Sequence, residues 1–244
     1  MTKSSNTPET ADSSRAAITL ADRCGLYVFV SSASVYGDHA TPGADESAPV
    51  LAPLQADTMR EMGDYAAKAA CEQHVLQAMG ADRALIVRAG LIGGPGDVSD
   101  RSGYWPWRFD RAQASGQPVL TPDPGDGLTQ LIDVRDLAQW IMTAAAQRTA
   151  GIFNAVGETR SLADHLALAR EVAGHTGEVV TAPTDWLRAQ GVEPWAGPKS
   201  LPLWLPMADY AGFSARDGRR AVAAGLVRRP VRETLADTLD WERT

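Results

Sequence analysis

One stretch, Tyr27-Val28-Phe29-Val30-Ser31-Ser32-Ala33-Ser34-Val35-Tyr36-Gly37-Asp38, constrains the fold more than any other part of the chain. Four apolar residues, β-branched or aromatic, stand between Cys24-Gly25 and a row of hydroxyls, a pattern that predicts a short strand buried on both faces. The hydroxyls then lie at its carboxyl end. In an open parallel sheet, ligands bind in the crevice outside the strand tips, where backbone and loop side chains converge. A serine there can donate to a substrate carbonyl or hydroxyl, although serines after a strand commonly do no more than cap the next turn.

Composition narrows the partners. With a net charge of -7 over 244 residues, neither nucleic acid nor an anionic membrane surface is expected as the main partner. The basic run Arg216, Arg219, Arg220, Arg228, Arg229 and Arg232 reads as a solvated helix face and the loop after it. Cys24 and Cys71 make no disulfide framework and are expected to be reduced and packed. No metal is expected, because His39, His74, His165 and His175 show no close pairing of the kind zinc needs. No apolar run reaches membrane-spanning length and no leader pattern opens the chain, so a cytoplasmic protein is expected.

Along the chain, residues 1–14 are polar and read as a disordered lead, and a short helix over 15–23 precedes the Ser32 strand. A proline-containing acidic loop over 38–55 leads to a long helix, about 56–79, rich in Ala, Glu, Gln and Met. A second buried strand covers 83–88, with 89–97 as its outgoing loop. Tyr104 to Phe109 open a helix with Pro106 in its first turn, their aromatics serving mainly as packing. Strands over 129–132 and 151–156 flank a helix over 136–146. Ser161 begins a further helix that ends at Gly174. Beyond Val179, prolines mix with Trp186, Trp195 and Trp204 in an irregular segment, and helices over 214–224 and 231–241 close the chain.

Several motifs in the right order carry a family resemblance. Ser31-Ser32-Ala33-Ser34-Val35-Tyr36-Gly37 resembles the S-S-x-S-V-Y-G signature of the extended short-chain dehydrogenases/reductases, the NAD-dependent epimerase/dehydratase group. Val87-Arg88-Ala89-Gly90 through Gly94-Pro95-Gly96-Asp97 is similar to its R-P-G-x-x-x-G-P-G-D segment, with Ala89 in place of proline. Leu131-Ile132-Asp133-Val134-Arg135-Asp136-Leu137-Ala138 is similar to F-I-H-V-x-D-L-A, and Ala221 to Trp241 carries the closing A-x-x-x-G-L, R-P and T-L-x-W spacing.

The resemblance implies an α/β fold, a partial Rossmann-like, doubly wound parallel sheet lacking its first strands over 15–156, followed by a small, mainly helical substrate lobe over 157–244. It implies a small-molecule substrate, NAD or NADP as cofactor, and oxidoreductase or epimerase-type chemistry. Ser32 would polarise the substrate oxygen, with Ser31 and Ser34 as substitutes, and Tyr65 would transfer a proton. Lys68 would tune Tyr65 and hold the cofactor ribose. Val30, Ser31, Tyr65, Lys68, Ala89, Gly90 and Leu91 would contact the cofactor, and a homodimer through the Tyr65 helix is a further expectation.

Four departures are visible. No G-x-G-x-x-G turn is present to take the cofactor pyrophosphate, and with it goes the residue that would choose NAD or NADP. Tyr65 precedes Lys68 by three residues, where the family has four, and Asp64 holds the usual tyrosine place. Leu91 and Thr129 stand where nucleotide-sugar epimerases have a sugar-contacting asparagine and a diphosphate-binding arginine, so a small or apolar carbonyl or alcohol is the expected substrate. The alternative is a non-catalytic, degenerate family member acting as a binding domain.

Overall fold

The structure, a computed structural model, describes residues 10–55, 65–205 and 207–244. In chain order the elements are α1 (Thr10–Leu20), β1 (Tyr27–Ser32), α2 (Tyr65–Met79), β2 (Ala84–Ala89), β3 (Leu91–Gly93), α3 (Tyr104–Ser115), β4 (Val119–Pro122), β5 (Leu128–Asp133), α4 (Val134–Ala146) and β6 (Gly151–Ala155). They continue with β7 (Thr159–Ser161), α5 (Leu162–Val172), β8 (Val179–Ala182), α6 (Thr184–Ala189), β9 (Glu193–Pro194), β10 (Ser200–Leu201), α7 (Met207–Tyr210), α8 (Arg219–Ala223) and α9 (Val231–Glu242).

β1, β2 and β6 form a parallel sheet in that order, with Ser32 beside Ala89 and Ala89 beside Ala155 at the carboxyl end. β2 is buried along its whole length because helices cover both faces. Ala84 and Ile86 meet Ala17 of α1 with Val75 and Met79 of α2, while Leu85 and Val87 meet Trp140 of α4 and Phe153. Each such aliphatic side chain contributes about 1.5–3 kcal/mol by leaving water. Helices on both faces of a parallel sheet make this a doubly wound, Rossmann-like α/β fold.

A second apolar cluster joins Trp105 and Phe109 of α3 to Leu162 and Leu166 of α5 and Leu235 and Leu239 of α9. α3 and β4 thus pack with later elements, and β4 pairs with β8. α8 packs back on the sheet through Ala221. The body around the sheet and the body around this cluster therefore interleave along the chain. Gly157 permits the close turn after β6, since a β-carbon there would stand 1.9 Å from the Leu131 carbonyl oxygen.

Several expectations need correction. β1 is not buried on both faces; among the described residues it is one of the two outer strands of its sheet, and Val30 is 42% exposed. The first helix spans Thr10–Leu20 among the described residues, not 15–23, and its Ala17 is buried against Val75 and Met79 of α2. Of the long helix over 56–79, residues 56–64 lie outside the described residues. The loop after β2 contains β3, which pairs with β5. The helix expected from 214 starts only at Arg219, because Arg216 and Asp217 bond in extended form to Gln130 and Ala44. Arg216 is also no solvated charge: it is 3% exposed, its guanidinium carbon lies 4.7 Å from the Tyr36 ring centre, and its Nη2 donates to the Asp38 carbonyl. Cys24 and Cys71 are free, the second buried. Among the described residues no helix is long and apolar enough to cross a membrane, and no cluster of potential metal ligands occurs.

One buried ionic group ties the layers together. Glu72 of α2 accepts the Ser31 hydroxyl of β1 at 2.5 Å and pairs with Arg88 of β2 at 2.8 Å, all three side chains being buried. Glu72→Ala leaves the guanidinium without its counter-charge and should lower the unfolding free energy by about 3–5 kcal/mol in urea titrations. Much of that loss should return in an E72L/R88M double variant. A second buried group governs acid behaviour. His165 of α5 is fully buried with neither ring nitrogen hydrogen-bonded, and burial followed by the nearby Arg160 charge pushes its pKa down to about 4. The unfolded chain binds a proton near pH 6.5 and the folded one does not, so stability should fall as pH drops from about 6.5 to 4, by about 3 kcal/mol. Chemical denaturation across that range should show His165→Leu losing less stability than the parent by about this amount.

Candidate active site

Ser32 ends β1 in extended conformation, φ -138° and ψ 143°, and its hydroxyl accepts the Ser34 amide at 3.1 Å. The cap fixes the side chain and leaves the hydroxyl proton for a ligand oxygen. Tyr65 opens α2 and is 39% exposed. Both residues line one cavity of about 250 Å³ at the carboxyl ends of β1 and β2, with Ser34, Ala89, Gly90 and Leu91. The Gly90 amide donates to the Ala155 carbonyl, and a β-carbon at Gly90 would come within 3.0 Å of Val156, so the residue stays small where the turn packs on Val156.

Not every expected residue reaches this cavity. The Ser31 hydroxyl is engaged by Glu72 on the far side of the strand, as the alternation of side chains requires once Ser32 faces the ligand side. That removes Ser31 as a substitute donor and leaves it only main-chain contacts. Lys68 Nζ donates to the Val30 carbonyl at 3.2 Å and lies 5.2 Å from the Phe29 ring centre, outside the cavity that Tyr65 lines. The three-residue step from Tyr65 turns the lysine along the helix toward the outer strand. Asp64 lies outside the described residues.

Behind the cavity wall, Tyr36 is held between two guanidiniums, Arg88 at 4.9 Å and Arg216 at 4.7 Å from its ring centre, and its hydroxyl donates to Asn154 at 2.6 Å. Burial pushes the phenol above its usual range despite the Arg88 charge. Burial opposes the charge on Arg88, yet its hydrogen bonds and ion pairing with Glu72 carry it above the usual range. This rigid stack supports the Ser32 turn from below.

Residues that sequence reasoning did not assign to the site complete it: Ser99, Arg101, Trp195 and Phe213. Arg101 and Ser99 follow the Gly-Pro-Gly-Asp segment, where nothing in residue spacing marks them. Trp195 was legible only as part of an aromatic segment. Two larger depressions, about 480 Å³ beside Gln130 and Arg228 and about 810 Å³ beside Glu46 and Leu76, contain none of the expected site residues.

Residues 7–155 match the model of the NAD-dependent epimerase/dehydratase family. No curated protein matches the chain. Among solved structures, UDP-N-acetylglucosamine 4-epimerase from Methanobrevibacter ruminantium, in complex with UDP-N-acetylmuramic acid, is 19% identical with a TM-score of 0.65 over 95% of this chain and 67% of its own. UDP-glucuronic acid 4-epimerase from Bacillus cereus, in complex with NAD, is 13% identical, TM-score 0.62, over 95% and 66%. RMD from Pseudomonas aeruginosa, complexed with NADPH, is 20% identical, TM-score 0.58, over 90% and 67%. At these identities the likeness is one of fold, and the chain spans about two thirds of each neighbour. The family match over more than half of the residues, together with this fold, means that the chain belongs to the NAD-dependent epimerase/dehydratase family.

Proposed function

We propose that the chain is a nicotinamide-dependent oxidoreductase or epimerase-type enzyme acting on a carbonyl or alcohol of a small molecule. The observation that carries this reading is the cavity that Ser32 and Tyr65 line together. The nicotinamide end of NAD or NADP would lie against Ala89, Gly90 and Leu91 in this cavity. The pyrophosphate half finds no glycine-rich turn among the described residues. When bound, the cofactor supplies or accepts hydride.

The remaining chemistry falls to this chain. Ser32 donates its hydroxyl proton to the substrate oxygen, and Tyr65 gives or takes the proton at that oxygen as hydride moves. Lys68, with its ammonium at the Val30 carbonyl, would meet the ribose hydroxyls together with the main chain of Val30 and Ser31. Bound complexes of NAD and NADPH with neighbours of the same fold support a nicotinamide cofactor without choosing between the two. A homodimer through α2 belongs to the same proposal, and light scattering that finds only monomer at high concentration removes it.

A second reading, a non-catalytic binding domain, is favoured by the placement of Lys68 away from the cavity. Titration with NADH and NADPH followed by fluorescence separates the two. Saturable binding of either is expected, and binding of neither would leave the non-catalytic reading standing. In an enzyme with measurable turnover, Tyr65→Phe and Ser32→Ala should each lower kcat by about a hundredfold while cofactor affinity stays within about twofold. Unchanged kcat in Tyr65→Phe would remove the phenol from the chemistry.

A further inference from the structure

The same cavity holds a cation that the proton-transfer chemistry does not use. Arg101 lines it, and its Nε donates to Ser99 Oγ at 3.2 Å. Among the described residues no carboxylate pairs with this guanidinium, and its two terminal nitrogens make no hydrogen bond. The nearby Asp97 is already committed: one oxygen takes the Ser99 amide and hydroxyl, the other the Ser102 amide and hydroxyl. Asp97 therefore shapes the turn that presents Arg101 and makes no direct ion pair with it.

The wall beside it is aromatic and fixed. The Arg101 guanidinium carbon lies 5.8 Å from the Trp195 ring centre, and Trp195 meets Phe213 edge to face at 5.2 Å. The main chain of Trp195, at φ 66°, donates to the carbonyls of Leu201 and Trp204, which fixes the backbone that carries the ring. An unpaired planar fork of N–H groups is the complement of a carboxylate, and a flat apolar wall is the complement of a ring or hydrocarbon body.

We propose that Arg101 sets the substrate class: a small carbonyl or alcohol compound bearing a carboxylate, which Arg101 receives while the apolar body lies against Trp195 and Phe213. This inference rests on the functional reading above for the reacting carbonyl or alcohol, but the recognition of the carboxylate is testable alone.

The test uses a matched pair of probes, para-carboxybenzaldehyde and benzaldehyde, with binding measured by ligand-detected NMR titration. The parent chain should bind the acid about tenfold more tightly. In Arg101→Ala, and in Arg101→Gln, which keeps most of the stem against Trp195, that preference should vanish while benzaldehyde binding stays the same. Equal binding of the two probes by the parent, binding of neither, or a preference that survives both substitutions would overturn the proposal. NADH binding, followed separately, distinguishes the two levels. An Arg101-dependent preference without NADH binding supports the carboxylate site and defeats the enzymatic reading, whereas NADH binding without the preference does the reverse.

Discussion

A carboxylate buried between a helix and two strands is what the arrangement of the site depends on. Glu72 reaches from α2 to the Ser31 hydroxyl at the end of β1 and to the Arg88 guanidinium near the end of β2. Taking either charge out of water alone costs several kcal/mol, so the pair persists only where both partners are fully met. Arg88 spends a further nitrogen on the Glu46 carbonyl and its face on Tyr36. Helix, two strand ends and the loop after Ser32 are thereby fixed against one another. Because Ser31 is pinned inward, Ser32 must face outward, and the cavity inherits its hydroxyl.

Tyr36 extends this framework. Its ring separates Arg88 from Arg216, two like charges that would repel across an empty space, and offers each an electron-rich face. Its hydroxyl reaches Asn154, whose own amide donates to the Asp217 carbonyl. The late segment 212–217 is anchored in this way beside the strand that closes the sheet. Phe213, one wall of the cavity, is held by a chain of contacts that begins at Glu72.

Much of this was legible in the residues. The hydrophobic run into Ser31-Ser32 marked the strand end that carries the donor, and Val87-Arg88-Ala89-Gly90 marked its neighbour. The reading failed where long-range packing decides. A run such as Tyr27–Val30 looks the same whether its strand is central or outermost, so the exposure of Val30 left no trace in the sequence. α3 and β4 precede β6 but pack beside α5 and β8, an exchange that composition does not record. The arginines of the closing segment looked alike, yet Arg216 is buried on Tyr36 while the side chain of Arg219 is 91% exposed. Arg101 was missed because what distinguishes it is the lack of a direct ion-pair partner among the described residues, a property of its surroundings. The placement of Lys68 at the Val30 carbonyl follows from its three-residue step from Tyr65, since one residue more or less in a helical step redirects a side chain by about 100°.

That redirection has a consequence for the strand it reaches. β1 is an outer strand of its sheet among the described residues, and one of its carbonyls, that of Val30, is taken by the Lys68 ammonium. A hydrated positive charge set beside an open row of backbone amides disfavours lateral addition of a foreign strand, by blocking one acceptor and by making an approaching apolar segment desolvate a cation. Among the described residues, Lys68 thus withdraws one outward acceptor from the flank of β1 that pairing with β2 leaves uncovered.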